Sequence, residues 1–120
     1  MALVRAILEM GAGNDLHGGD YTKAALRAVQ DALHHSSLTF LRALKIPPAT
    51  MQVTVTIGVQ QPDKVDAERV KASLPYGVIT VRVIKGGLDV PDDENHDPAV
   101  IATAAIEVRV ERPATSGNTA

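Results

Sequence analysis

Hydrophobic positions recur at every second residue in the middle of the chain. Met51, Val53, Val55, Ile57 and Val59 alternate with Gln52, Thr54, Thr56 and Gly58. Successive side chains of an extended strand point to opposite faces, so this segment reads as a strand with one core face and one polar face. The same period marks Val78 to Ile84, where Ile79, Val81 and Val83 oppose Val78, Thr80, Arg82 and Ile84. It returns where Ile106, Val108 and Val110 alternate with Glu107, Arg109 and Glu111. Leu3 to Met10 is a shorter apolar run that places Val4, Ala6, Leu8 and Met10 on one side of a first strand. Val100 to Ala105 fits either a strand or one helical turn.

Between the strands the period lengthens. From Tyr21 to about Leu44, the residues Leu26, Val29, Leu33 and Phe40 form a stripe close to 3.6 residues per turn. Lys23, Arg27, Gln30 and His34 line a second face. Tyr21, Ala24, Ala28 and His35 form a third, a strip of mostly small residues that lets another backbone or subunit approach closely. Asp20 is placed to cap this helix. Ser36 and Ser37 predict a kink or break before Phe40 to Leu44, and Pro47-Pro48 end the helix because a residue before proline avoids the α region. A second, short helix turns Ala67, Val70 and Leu74 inward, with Asp63 or Asp66 as its cap and Pro75 as its stop.

The order β-α-β-α-β-β predicts an α+β two-layer sandwich, a four-stranded mixed sheet with both helices on one face. Right-handed crossovers make the first three strands parallel where they share the sheet. Residues 1–112 form one domain, and Pro113 to Ala120, with nothing to bury, form a disordered tail. This layout leaves the second sheet face partly apolar and uncovered. Burying it against copies of the chain predicts a homo-oligomer of cyclic type, a trimer among the forms allowed.

Composition narrows the function. Twelve basic and 14 acidic residues give a net charge of −2, and the chain has two Tyr, one Phe and no Trp. Neither a basic field nor a stacking platform for nucleic acid is present. No apolar run approaches the roughly 18 residues of a membrane span, and Arg5 interrupts the N-terminus, so a cytoplasmic location is expected. The absence of cysteine excludes disulfides, thiolate catalysis and cysteine-ligated zinc.

The stretch with most chemistry is Gly11-Ala-Gly-Asn-Asp-Leu-His-Gly-Gly-Asp20. Four glycines in ten residues predict a loop, here at a strand's carboxyl end and leading into a helix whose unpaired first-turn N–H groups favour an anion or a carbonyl oxygen. It is not a dinucleotide fingerprint, since Leu16 stands where the third glycine is needed, and no P-loop lysine follows. In this loop Asp15 is the group that orients or receives protons and His17 the general acid or base. The plain alternative is a tight turn in which Asp15 closes an Asx turn and His17 is solvated.

Lys85-Gly86-Gly87 leaves the end of a later strand, and its N–H groups with the Lys85 ammonium form a second candidate anion or oxyanion site. The candidate catalytic set is therefore Asp15, His17 and Lys85, and the ligand-binding set Gly11, Gly13, Gly18, Asp20, Lys23, His35, Gly86 and Gly87. Leu88 to Asp97 reads as a solvated acidic loop, Asp89, Asp92, Asp93, Glu94 and Asp97 lacking the spacing of a calcium-binding hand.

Three functions remain open. One is an enzyme acting by acid–base chemistry on a polar, carbonyl-bearing or anionic metabolite between subunits. Another is a metabolite-binding or regulatory module without chemistry. The third is a metal site using Asp15, His17 and a histidine of the first helix. No cofactor is specified by any spacing.

The GxGxDxHG pattern of Gly11, Gly13, Asp15, His17 and Gly18 continues into Asp20-Tyr21-Thr22-Lys23-Ala24-Ala25 and His34-His35-Ser36-Ser37-Leu38. With Leu74-Pro75-Tyr76-Gly77 and Lys85-Gly86-Gly87-Leu88 it resembles a small conserved family of bacteria and plants that has no assigned function. The likeness runs to about Val110. A second resemblance is to the ring-opening amidohydrolases of cyanuric acid and barbiturate, built from three similar repeats around a pseudo-threefold axis. Asp20-Tyr21-Thr22-Lys23-Ala24 is similar to a helix start in those repeats, and Lys85-Gly86-Gly87 stands where they carry Ser-Gly-Gly. Their paired lysine and serine are not reproduced, because Lys85 occupies the serine position and Glu9 or Met10 the lysine position. What this resemblance implies is a threefold arrangement with ligand loops at subunit boundaries.

Overall fold

Residues 2–35 and 44–111 are described by the computed structural model. In chain order they form β1 (Leu3–Asp15), α1 (Tyr21–His34), a 3₁₀ turn (Pro48–Thr50), β2 (Gln52–Val59), a second 3₁₀ turn (Pro62–Lys64), α2 (Ala67–Ala72), β3 (Val78–Lys85), β4 (Leu88–Val90) and β5 (Ala99–Glu111). This is the expected α+β architecture, a mixed open sheet with both helices on one face. The sheet order is β1-β5-β2-β3, with β4 paired to β5. The strand beyond the four expected is β4, Leu88–Val90, which lies where a loop was expected; three residues are too few for an alternating pattern to stand out.

β5 runs antiparallel to both β1 and β2, and β2 is parallel to β3. The first three strands thus share one direction, as crossover handedness requires, with β5 inserted between the first two. Their carboxyl ends lie together at one end of the sheet. Val100 to Ala105, ambiguous in sequence, is strand along its whole length because β1 pairs it on one side while β2 and β4 pair it on the other.

The core fills the space between sheet and helices. Val29, Val55, Ile57, Val59, Val70 and Val100 are fully buried. Val53, Val55, Ile57 and Val59 supply the buried face of β2 while Gln52, Thr54 and Thr56 stay half-exposed, which matches their alternation in sequence. Asp66 caps α2 by accepting from the N–H groups of Glu68 and Arg69 at 3.1 and 3.2 Å.

Two features of β1 differ from the sequence reading. The strand does not stop at Met10 but continues through Gly11 and Gly13 to Asp15, because Gly11 to Asp15 pair with Ala104 to Val100. Glycine is a poor strand former by itself, and here pairing and packing override that tendency. The packing is backbone on backbone. A Cβ built on Gly13 would lie 2.3 Å from the Ala28 nitrogen, and one on Gly11 2.4 Å from the Ala32 nitrogen. The small strip Ala24, Ala28 and Ala32 of α1 therefore receives β1 of its own chain.

The second difference is a register shift between Arg5 and Ile7, which leaves Ala6 as the extra residue of a bulge. Val4, Ala6, Leu8 and Met10 do not share a face as expected. Val4 and Ile7 pack on the core, whereas Leu8 and Met10 stand 46% and 69% exposed on the side without helices.

The expected continuation of the first helix to Leu44, its kink at Ser36 and Ser37, Phe40, and the tail from Pro113 lie outside the described residues. Among the described residues, no helix is long and apolar enough to cross a membrane.

Candidate functional site

The carboxyl ends of β1, β2 and β3 deliver the turn 16–20, the segment 60–66 and the Gly86-Gly87 turn to one end of the sheet, where α1 begins. In open α/β layers this end is where loops are free to carry function.

Asp15 is the last residue of β1 and is only 3% exposed. Its Oδ2 accepts the Asp20 N–H at 2.8 Å, and its Oδ1 faces Lys23 Nζ at 3.6 Å and Arg27 Nη1 at 3.9 Å. Asp20 in turn caps α1 by accepting the Lys23 N–H at 3.0 Å. A carboxylate used in this way closes the turn and fixes the helix start. Asp15 is thus not hydrogen-bonded to His17.

His17 lies in the turn with its side chain 87% exposed, and its Nδ1 is 2.9 Å from Asp97 Oδ2. The other oxygen, Oδ1, accepts the Gly18 N–H at 2.8 Å. Those two bonds, that from Gly18 first and that from His17 second, hold the Asp97 carboxyl below its ordinary range. An ionised carboxylate only accepts, so Nδ1 carries the hydrogen and the lone pair of neutral His17 sits on Nε2, directed away from Asp97. Gly18, at φ 93°, provides the turn that brings its amide to Asp97.

A second polar chain lies deeper. The Tyr21 hydroxyl donates to Asp89 Oδ2 and accepts from Gln61 Nε2 at 2.9 Å. Tyr21 is buried, and burial first, then the bond to Asp89, pushes its phenol above its ordinary value. Asp89 Oδ1 is buried without a hydrogen-bond partner among the described residues. Register explains the placement: Asp89 and Asp15 both pair with Val100, from opposite sides of β5, so two carboxylates flank the start of α1.

The double-glycine turn is built for shape. Gly86 N–H donates to Val59 O at 2.9 Å and is not free to hold an anion. The Gly86 and Gly87 carbonyls accept from Gln60 Nε2 at 3.1 and 3.2 Å. Gly87 has φ 61°, and a Cβ there would fall 2.2 Å from Ile101 O, so only glycine fits. Lys85 is exposed on β3, three strand spacings from Asp15, about 14 Å. His35, 61% exposed and 3.5 Å from Asp31, lies at the far end of α1, roughly 20 Å from His17.

Asp15, His17, Gly18, Asp20 and Lys23 therefore come together, Lys85, Gly86 and Gly87 occupy a separate corner of the same end, and His35 lies elsewhere. Gly11 and Gly13 are under α1 rather than in the loop. Asp97, Asp89, Gln61 and the hydroxyl of Tyr21 were not singled out from sequence. No local pattern marked Asp89, because the three residues of β4 are too few for alternation to stand out. Among the described residues, no three His, Cys, Asp or Glu side chains group as a metal centre needs.

A family model described as conserved hypothetical protein (Lin0512_fam) matches residues 5–108. The chain belongs to the Lin0512 family. Its match takes in most of β1 and of β5 and both helices, so the turn 16–20 and Asp97 both fall within the family's span. A crystal structure described as an FtsZ-like protein of unknown function, from Nostoc punctiforme PCC 73102, is similar to this Lin0512 chain at 38% identity with a TM-score of 0.81. The alignment covers 93% of this chain and 99% of that one. No curated protein matches the chain.

Proposed function

We propose that this protein is a small cytoplasmic homo-oligomer, of trimeric or other cyclic form, that takes a polar, carbonyl-bearing or anionic metabolite at the carboxyl end of its sheet. There it acts by acid–base chemistry. His17 accepts and returns the proton through Nε2, and Asp97 holds the ring in place. The observation that carries this reading is the His17 to Asp97 contact at 2.9 Å with the second carboxylate oxygen fixed by the Gly18 amide. A carboxylate that is itself immobilised orients an imidazole, and a fixed ring presents its free nitrogen in one direction for proton transfer. Lys23, half-exposed beside the same turn, is the cation placed to meet a ligand carboxylate or carbonyl. The threefold arrangement implied by the amidohydrolase resemblance would put such a turn at a subunit boundary.

The exposure of the His17 side chain supports a second reading, a metabolite-binding or regulatory module without chemistry, since reacting groups work best where water is excluded.

One screen separates the two. Carbonyl and carboxylate metabolites are tested for thermal stabilisation of the protein, and each hit is followed for conversion by NMR. A hit that is converted by the wild type, with His17→Ala lowering turnover about 100-fold or more while binding persists, supports the enzyme. Stabilisation without conversion supports the binding module. Conversion unchanged by His17→Ala rejects the proposed role of the dyad.

A further inference from the structure

The helix-free face of the sheet carries most of the chain's exposed large apolar side chains. Nine such residues are exposed among the described ones, and only Leu16 and Leu44 lie off this face. Register places the rest: Leu3 opposes Glu111, Leu8 opposes Glu107, Met10 opposes Ala105, and Leu88 opposes Ile101, while Val78 and Ile84 pair with Gln52 and Gly58, and Val90 with Ala99. The bulge at Ala6 contributes directly, because it turns Leu8 and Met10 outward although Val4 faces the core.

This face has relief. Between Met10 on β1 and Ile84 on β3 lies an open hollow of about 500 Å³, floored by Ala12, Gly58, Thr103 and Ala105. Its depth follows from missing side chains: a Cβ on Gly58 would press to 2.8 Å on the Thr103 hydroxyl. Protruding apolar side chains thus border a recess on the same surface, the condition for a self-complementary contact.

Of the sheet's two edges, β1 and β3, that of β1 is obstructed as a route to assembly. The Ala12 N–H donates to Asp31 at 3.0 Å and the Asn14 carbonyl accepts from Arg27 at 2.7 Å, so side chains of α1 already occupy the outer backbone groups of that strand. The bulge distorts the remainder of the edge. Within the face, Glu107 binds both Arg5 and Arg109, at 2.7 and 2.8 Å, which ties the two guanidinium groups to a carboxylate of the same chain. Size agrees as well. At a 4.8 Å strand spacing and 3.3 Å per residue, the five strands cover roughly 700 Å², close to the approximately 800 Å² that each partner buries in a stable protein–protein contact.

We infer that copies of this chain meet face to face through the helix-free side of the sheet, with Met10 and Ile84 of one copy seated in the hollow of the next. The inference deepens the oligomeric part of the proposed function by naming the side chains and the hollow that meet on the sheet face expected to be covered, and it does not depend on the chemistry of His17.

Light scattering on the full chain at tens of micromolar, with single-cysteine crosslinking, tests it. The wild type is expected to run as two chains. Met10→Glu, which places a charge in the contact, is expected to raise the dissociation concentration at least tenfold, whereas Leu44→Glu, also apolar and exposed but off the face, leaves the mass unchanged. Because the chain has no cysteine, Thr103→Cys in the hollow should yield a crosslinked pair under mild oxidation or with a short bis-maleimide, and Arg69→Cys on α2 should not. A wild type that is a single chain overturns the inference. So does an assembly in which Arg69→Cys crosslinks as readily as Thr103→Cys, a result that decides the matter even where Met10→Glu fails to fold.

Discussion

The stretch from Gly11 to Asp20 holds two pairs of glycines that look alike in sequence and serve opposite ends. Gly11 and Gly13 lie in a regular strand and are needed for what they lack, since any Cβ would enter the backbone of α1 at 2.4 or 2.3 Å. Gly18 and Gly19 lie in the turn at φ 93° and 60°, and nothing crowds Gly19 within 4 Å. The first pair is limited by space and the second by torsion angle. A glycine-rich run is therefore not one feature, and only its second half belongs to the candidate site.

The contrast is most sharply broken by alanine at the first pair. Gly13→Ala forces α1 off the sheet, and a loss of about 3 kcal/mol in urea unfolding is expected, as for severe overpacking. An effect near zero would mean that the helix does not sit on the strand.

Next comes the first residue of that helix. Tyr21→Phe strips the buried Asp89 carboxylate of its hydroxyl donor and is expected to cost about 2 kcal/mol. Its pH dependence has a definite sign. A phenol raised above its ordinary value of 10.0 contributes stability that is intact below that pH and is lost as pH climbs through the folded value. The wild type should therefore weaken at alkaline pH more than Tyr21→Phe does.

Gly19→Ala meets no contact and bears only the left-handed torsion, so about 1 kcal/mol is expected, with Gly19→Asn losing less. If Gly19→Ala equals Gly13→Ala, the division between space and torsion fails.

Smallest is Asp97→Asn, which should lower neutral-pH stability slightly, by less than Gly19→Ala, and lower it less still in acid. Because the Asp97 carboxyl is lowered, its contribution is present above the ordinary carboxylate range and fades as pH falls through the folded value. The variant should show a shallower acid limb in a melting series.

What could be read from residues alone follows from distance along the chain. β2 and β3 were legible because alternation over eight residues is a local property that pairing only reinforces. The cap by Asp20 was legible for the same reason. The reach of β1 through Gly11 and Gly13 was not, because strand propensity there is low and its support comes from β5, some 90 residues away. The bulge at Ala6 leaves no mark in sequence, yet it decides which face Leu8 and Met10 occupy. The candidate site was half legible. His17 stood out as a titratable group between glycines, but its partner is Asp97, 80 residues on, hidden in an acidic run that reads as solvated. Asp15, the nearer carboxylate, faces the helix side because Gly13 and Gly11 do, and that parity is set by the strand and not by the turn.

The bond from the Ala12 amide to the Asp31 carboxylate gives the molecule a built-in gauge. This hydrogen is held by a side chain from another layer and not by a neighbouring strand. Its exchange with deuterated water therefore reports the lifting of α1 alone, whereas amides within the β5 ladders report the opening of the sheet. Two clocks in one polypeptide would show whether its layers part together or in sequence.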